Sequence, residues 1–170
     1  MGLRETIKKA HESLTAANVE HALIGGIALA TLGINRATAD VDLLIDGEQK
    51  DVAKETLKKA GFTLKLETPE VLHFEGIGLL DILLANRPLS KQMLLSAKSL
   101  SHPQIKCLLA EDIIGLKIQA YKNNPSREYQ DKADIKALID SKNFLDWTKI
   151  QRYADLFGEW SEIQKIRDKR

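Results

Sequence analysis

The sequence predicts an α/β (α+β) fold, a small mixed β-sheet with flanking helices, followed by a helical C-terminal half. Three observations predict it. Short strand-like apolar runs alternate with helix-like spacing through the first part of the chain. A glycine pair, Gly25-Gly26, joins one strand pattern to a helix pattern, and the run Asp40-Val41-Asp42 opens the next strand. Past Pro88 no further convincing strand pattern appears, and helical spacing takes over. The expected organisation is an α/β core over residues 1–88 and a helical region over residues 89–170 that packs on it.

The elements follow in order. Leu3, Ile7, Ala10, Leu14 and Ala17 recur at alternating steps of four and three, an amphipathic first helix. Residues 21–24 form a short strand. The glycine pair turns it into a short helix over 27–32, with Gly33 at its C′ position. Residues 41–45 are the second strand, and residues 48–60 a helix stopped by Gly61. Phe62, Leu64 and Leu66 alternate with polar residues as a third strand, which Pro69 ends. Residues 71–75 and 79–84 read as a hairpin around Gly76-Ile77-Gly78. Helices are expected over 111–121, 129–139 and 147–157, with Asp146 as N-cap of the last. Asn123-Asn124-Pro125 breaks the first from the second.

Composition narrows the function classes. The chain has 170 residues, 44% hydrophobic, enough for a real core. Its 25 basic and 24 acidic residues nearly cancel, which argues against a strongly basic nucleic-acid module. No apolar run is long enough for a membrane span, and the N-terminus lacks a signal-peptide layout. The single cysteine, Cys107, excludes an internal disulfide and reads as a buried small apolar residue. A cytoplasmic location without membrane partners is expected.

The chemistry begins at Asp40 and Asp42. Positions i and i+2 of a strand point the same way, so the two carboxylates share a face. Adjacent carboxylates repel unless a cation neutralises them, and such oxygen donors suit Mg²⁺. Gly25 and Gly26 would let a phosphate approach the backbone nearby. Metal and phosphate together point to phosphoryl or nucleotidyl transfer. Asp81 lies in the apolar strand Leu79-Leu80-Asp81-Ile82, where an unpaired charge is expensive. It reads as a third metal ligand, with a strand-end cap as the plain alternative.

Lys117 interrupts the apolar stripe Ile113, Ile114, Ala120, Tyr121. It either snorkels to water or binds triphosphate oxygens as a point charge. Asp131 and Asp134 share a helix face, and with Arg127 and Lys132 nearby they read as a solvated, ion-paired surface. Arg36 and Thr38 precede the Asp pair; the first is in reach of a phosphate and the second of a loop backbone group. His11, His21, His73 and His102 show no metal-ligand spacing and read as structural or surface residues. No Walker-type P-loop and no serine nucleophile elbow is present.

Strand, Gly-Gly, short helix, Asp-x-Asp and a later strand Asp together resemble the nucleotidyltransferase superfamily with the DNA polymerase β-like minimal fold. Gly25, Gly26, Asp40 and Asp42 match its first motif, and Asp81 matches its third carboxylate. The run Arg36-Ala37-Thr38-Ala39-Asp40-Val41-Asp42 is closest in look to AbiEii-type bacterial toxin nucleotidyltransferases. Lys117, Arg127 and Asp131-Lys132-Ala133-Asp134 resemble that group's C-terminal motif. The usual serine after the first glycine is Gly26 here, so phosphate contact falls to backbone N–H groups.

The resemblance implies Mg²⁺- or Mn²⁺-dependent transfer of a nucleoside monophosphate from an NTP to a hydroxyl. Asp40, Asp42 and Asp81 would hold metal; Asp81 would complete the metal that lowers the pKa of the attacking hydroxyl, or accept its proton. Gly25, Gly26, Arg36, Thr38 and Lys117 would bind the nucleotide. The acceptor would be RNA, a protein side chain or a small molecule, in a setting that includes toxin–antitoxin pairs with a toxin or antitoxin partner. Two rival readings are a catalytically inactive partner protein and a nucleotide-binding sensor that needs no Asp81.

Overall fold

A computed structural model describes residues 2–101 and 104–169, so His102 lies outside the described residues. The chain forms two compact units. The first comprises residues 1–28 and 36–108, the second residues 29–35 and 109–170.

The first unit is built on one mixed sheet of seven strands in the order β3-β4-β5-β2-β1-β7-β6. These are β1 (His21–Ile24), β2 (Asp40–Asp46), β3 (Thr63–Glu67), β4 (Val71–Glu75), β5 (Leu79–Ala85), β6 (Lys98–Ser99) and β7 (Lys106–Cys107). β2 pairs antiparallel with β1 and parallel with β5; β5, β4 and β3 run as an antiparallel meander. The expectation of no strand past Pro88 is corrected by β6 and β7. Each is two residues long, too short to show any alternation.

Helices α1 (Leu3–Ala16), α3 (Lys50–Lys59) and α4 (Pro88–Ser96) belong to this unit, and the short α2 (Gly25–Thr31) leads out of it. α1 buries Thr6, Ala10 and Leu14. Ala10 and Leu14 are the buried part of the expected stripe, Leu3 and Ile7 are half-buried, and Thr6 joins the buried face. Thr6 tolerates burial because its hydroxyl donates to the Gly2 carbonyl at 2.7 Å. α4 starts at Pro88, whose ring is preorganised for a first helical turn rather than only a break. One face of the sheet carries the core, with Val41, Leu43, Leu72, Phe74, Leu80 and Ile82 almost wholly buried. Gly33 follows α2 with φ +92°, the left-handed conformation expected of a C′ residue.

The second unit is helical: α5 (Ala110–Asn123), α6 (Glu128–Ser141), α7 (Trp147–Leu156) and α8 (Trp160–Asp168). The Asp146 side chain accepts from the Lys149 backbone N–H at 3.0 Å, the expected N-cap of α7. The buried Ile114, Ile118, Ile135, Leu138 and Ile150 form its interior. Residues 29–35, the end of α2 and the segment after it, are tied into it by the Lys142 ammonium, which donates to the Leu32 carbonyl at 2.6 Å. No helix among the described residues is long and apolar enough to cross a membrane.

Candidate active site

Asp40 and Asp42 project from the same side of β2, as the alternation requires. β5 runs parallel to β2 with Asp81 directly opposite Asp42. The three side chains converge: one carboxylate oxygen from each lies within 4.8 Å of the others, and all three are half-buried. Three like charges this close are self-repelling, and the compensation they call for is a cation with oxygen ligands. The donor set fits Mg²⁺ or Mn²⁺, which prefer carboxylates and keep open positions for water and phosphate.

The glycine pair is explained by what surrounds it. Gly25 has φ +63°, and a Cβ placed there would lie 2.0 Å from Asp42 Oδ2. A Cβ on Gly26 would lie 2.6 Å from the Thr38 Cβ. The two missing side chains thus make room for one site carboxylate and for the residue that orients another. Thr38 donates its hydroxyl to Asp40 Oδ1 at 2.7 Å. The loop threonine therefore fixes a carboxylate rather than only a backbone group. Arg36 is half-buried and donates to the Ala37 carbonyl at 3.1 Å.

A fourth residue joins the site that sequence reasoning left out. His73 on β4 stands directly opposite Asp81. Its Nδ1 lies 2.7 Å from Asp81 Oδ1, and since a carboxylate only accepts, the ring donates. Metal-ligand spacing could not reveal it. The hairpin register could: with Ile77 at the apex, residue 73 falls against residue 81.

Lys117 lies in the helical unit, and it neither snorkels nor stands free. Its ammonium is 2.9 Å from Asp131 Oδ1 and 2.7 Å from Asp134 Oδ2, and all three side chains are buried. The expectation of a solvated face at Asp131 and Asp134 is corrected. α6 turns both inward because α5 supplies a cation there, and an unpaired buried carboxylate would not persist. Arg127 donates to Asp131 Oδ2 at 3.2 Å, and Gln130 to Asp134 Oδ1 at 3.1 Å.

The remaining titratable groups play structural parts. His21 is buried, donates from Nδ1 to the Val19 carbonyl at 2.7 Å, and meets His11 Nδ1 with its other nitrogen at 2.7 Å. Burial holds its pKa below the usual histidine value. Cys107 is buried on β7, as expected.

No protein-family profile matches the chain, and no curated protein matches it. Solved structures do. A crystal structure of ANT(2'')-Ia in complex with adenylyl-2''-tobramycin is similar with TM-score 0.68 at 20% identity, covering 91% of this chain and 95% of that one. The lincosamide antibiotic adenylyltransferase LnuA, bound to lincomycin, gives 0.62 at 16% identity over 83% of this chain and 99% of that one. An antigenic nucleotidyltransferase-like protein from Paracoccidioides brasiliensis gives 0.57 at 20% identity over 94% of this chain and 88% of that one. The mixed sheet, the strand-borne carboxylates and these likenesses agree: the chain has the nucleotidyltransferase fold.

Proposed function

We propose that this protein transfers a nucleoside monophosphate from an NTP to a hydroxyl group, in a reaction that depends on Mg²⁺ or Mn²⁺. The observation that carries the proposal is the convergence of Asp40, Asp42 and Asp81 within 4.8 Å on one face of the sheet. A binding module has no use for three clustered carboxylates, whose mutual repulsion costs stability. The likeness to ANT(2'')-Ia and LnuA, each similar over nearly its whole length, supports a small-molecule acceptor over RNA or protein.

Asp40 and Asp42 would hold the metal, with the Thr38 hydroxyl fixing Asp40. A bound divalent ion would neutralise triphosphate charge and favour ionisation of the acceptor hydroxyl. Asp81 accepts the hydroxyl proton; the freed oxygen bonds to the α-phosphorus, the bridging P–O bond breaks, and pyrophosphate leaves. His73 keeps one Asp81 oxygen engaged, which aims the other. The turn at Gly25 and Gly26 offers backbone N–H groups to phosphate, and Arg36 a cation. Lys117 enters only as the buried counter-ion of Asp131 and Asp134.

The test is thermal stability with ATP, CTP, GTP and UTP, with and without Mg²⁺, followed by pyrophosphate release with tobramycin, lincomycin and RNA as acceptors. A Mg²⁺-dependent shift with one nucleotide, lost in Asp42→Asn, supports the reading and names the donor. No shift with any nucleotide overturns it in favour of an inactive partner protein.

A further inference from the structure

The face of the sheet that carries the carboxylates is covered at Leu44 and Ala85, which are wholly buried, and opens toward Leu79 and Leu66. Core residues of β4 and β5 (Leu72, Phe74, Leu80, Ile82) alternate to the buried face. The opposite face continues past Asp81 toward the sheet edge through His73 and Val71 on β4 and Leu79 and Leu83 on β5. A bulge between Leu64 and Leu66 brings Leu66 opposite His73, onto this same face. Leu66 is 54% exposed and Leu79 47% exposed, while Val71, His73 and Leu83 are half-buried. The charge balance here is unusual for a surface sheet. Besides Asp81, strands β4 and β5 put one carboxylate on this face, Glu75, and Lys65 pairs with it at 3.0 Å.

We propose that this stretch of β3–β5 is the acceptor platform, and that it takes a small hydroxyl compound with an uncharged, apolar flank. The inference rests on the transfer reading, since a hydroxyl that gives its proton to Asp81 must bring the rest of its molecule against the neighbouring strands. Exposed leucines, Leu66 and Leu79, reward apolar contact. A polycationic acceptor would need carboxylates beyond the three of the candidate metal cluster, and Glu75, the other one on this face of β4 and β5, is already paired with Lys65. A nucleic acid would need basic side chains along its path, and β4 and β5 carry no lysine or arginine, while Lys65 on β3 is paired with Glu75.

The test is binding of octyl glucoside, below its micelle concentration, to the full chain with methyl-labelled leucine and valine. Neomycin, a hydroxylated polycation, is the comparison. Octyl glucoside is expected to shift the methyl resonances of Leu66, Val71, Leu79 and Leu83, with neomycin shifting them far less. Leu79→Glu or Leu66→Glu should weaken octyl glucoside binding about tenfold, because a carboxylate resists desolvation by an apolar flank. Both side chains are half-exposed, so these variants should fold, and Val52→Glu on α3, 51% exposed, is the control that leaves binding unchanged. Absence of methyl shifts, tighter binding of neomycin, or insensitivity to both glutamate variants overturns the proposal. The Mg²⁺–nucleotide melting shift is read on the same samples. Its absence overturns the transfer reading alone, since the methyl shifts need no nucleotide.

Discussion

His73 on β4 donates a hydrogen bond from Nδ1 to Oδ1 of Asp81 on β5, at 2.7 Å and at a directly opposed register position. A charged acceptor makes this bond worth roughly 1.5–3 kcal/mol, on the order of ten- to a hundredfold in an equilibrium or a rate. His73→Phe is therefore expected to lower kcat for pyrophosphate release by about tenfold or more, with little change in the KM for NTP. His73→Asn, which keeps a donor, should recover part of the loss. Steady-state kinetics on both variants checks this; equal kcat in wild type and His73→Phe would remove His73 from the site.

Asp42 faces Asp81 across the β2–β5 ladder, so apo protein carries like charges in direct opposition. Asp42→Asn should raise apo stability by about 0.5 kcal/mol while abolishing Mg²⁺-dependent stabilisation. Urea denaturation with and without Mg²⁺ reads both effects. A variant less stable when apo but still responsive to Mg²⁺ contradicts the assignment of Asp42 as a ligand.

Lys117 bridges two buried carboxylates, Asp131 and Asp134. Lys117→Met removes their shared counter-charge and should cost about 3–5 kcal/mol without any nucleotide present. Adding Asp134→Asn to the same chain should recover part of that loss. Chemical denaturation of the single and double variants checks it. If Lys117→Met unfolds like wild type yet loses transfer, the lysine acts on substrate instead.

His21 gives the fold a pH dependence. Its pKa in the folded chain lies below the usual histidine value, so the unfolded chain takes up the proton first. The neutral ring's contribution is complete above about pH 6.5 and is lost as pH falls through the lowered folded value. His21→Leu should flatten the decline in melting temperature between about pH 7 and 5, measured in buffers of constant ionic strength. His11, in contact with His21, is replaced in parallel as His11→Gln to separate the two rings.

The site was legible in the sequence to the extent that strand periodicity governs it. Asp40 and Asp42 share a face because any strand would make them do so, and Asp81 was conspicuous because its neighbours are apolar. What escaped depended on partners distant in the chain. Asp131 and Asp134 read as a solvated face, and Lys117 as a snorkelling or phosphate-binding cation, because each helix taken alone does not show the partners on the other. Their burial is a property of α5 and α6 together. α8 was missed for a related reason: Ile163 is its one buried residue, so little periodicity marks it.

Residues 29–35 belong with 109–170, although they lie inside the stretch of chain that builds the sheet. Neither unit is therefore a continuous segment that a nascent chain could finish in turn. During synthesis residues 29–35 emerge well before the helices they join. Cutting the gene after residue 108 would not isolate an independent lobe; it would leave Leu32 without the lysine that anchors it. The segment 29–35 is thus made along with the strands that bear the carboxylates but grouped with the helical unit.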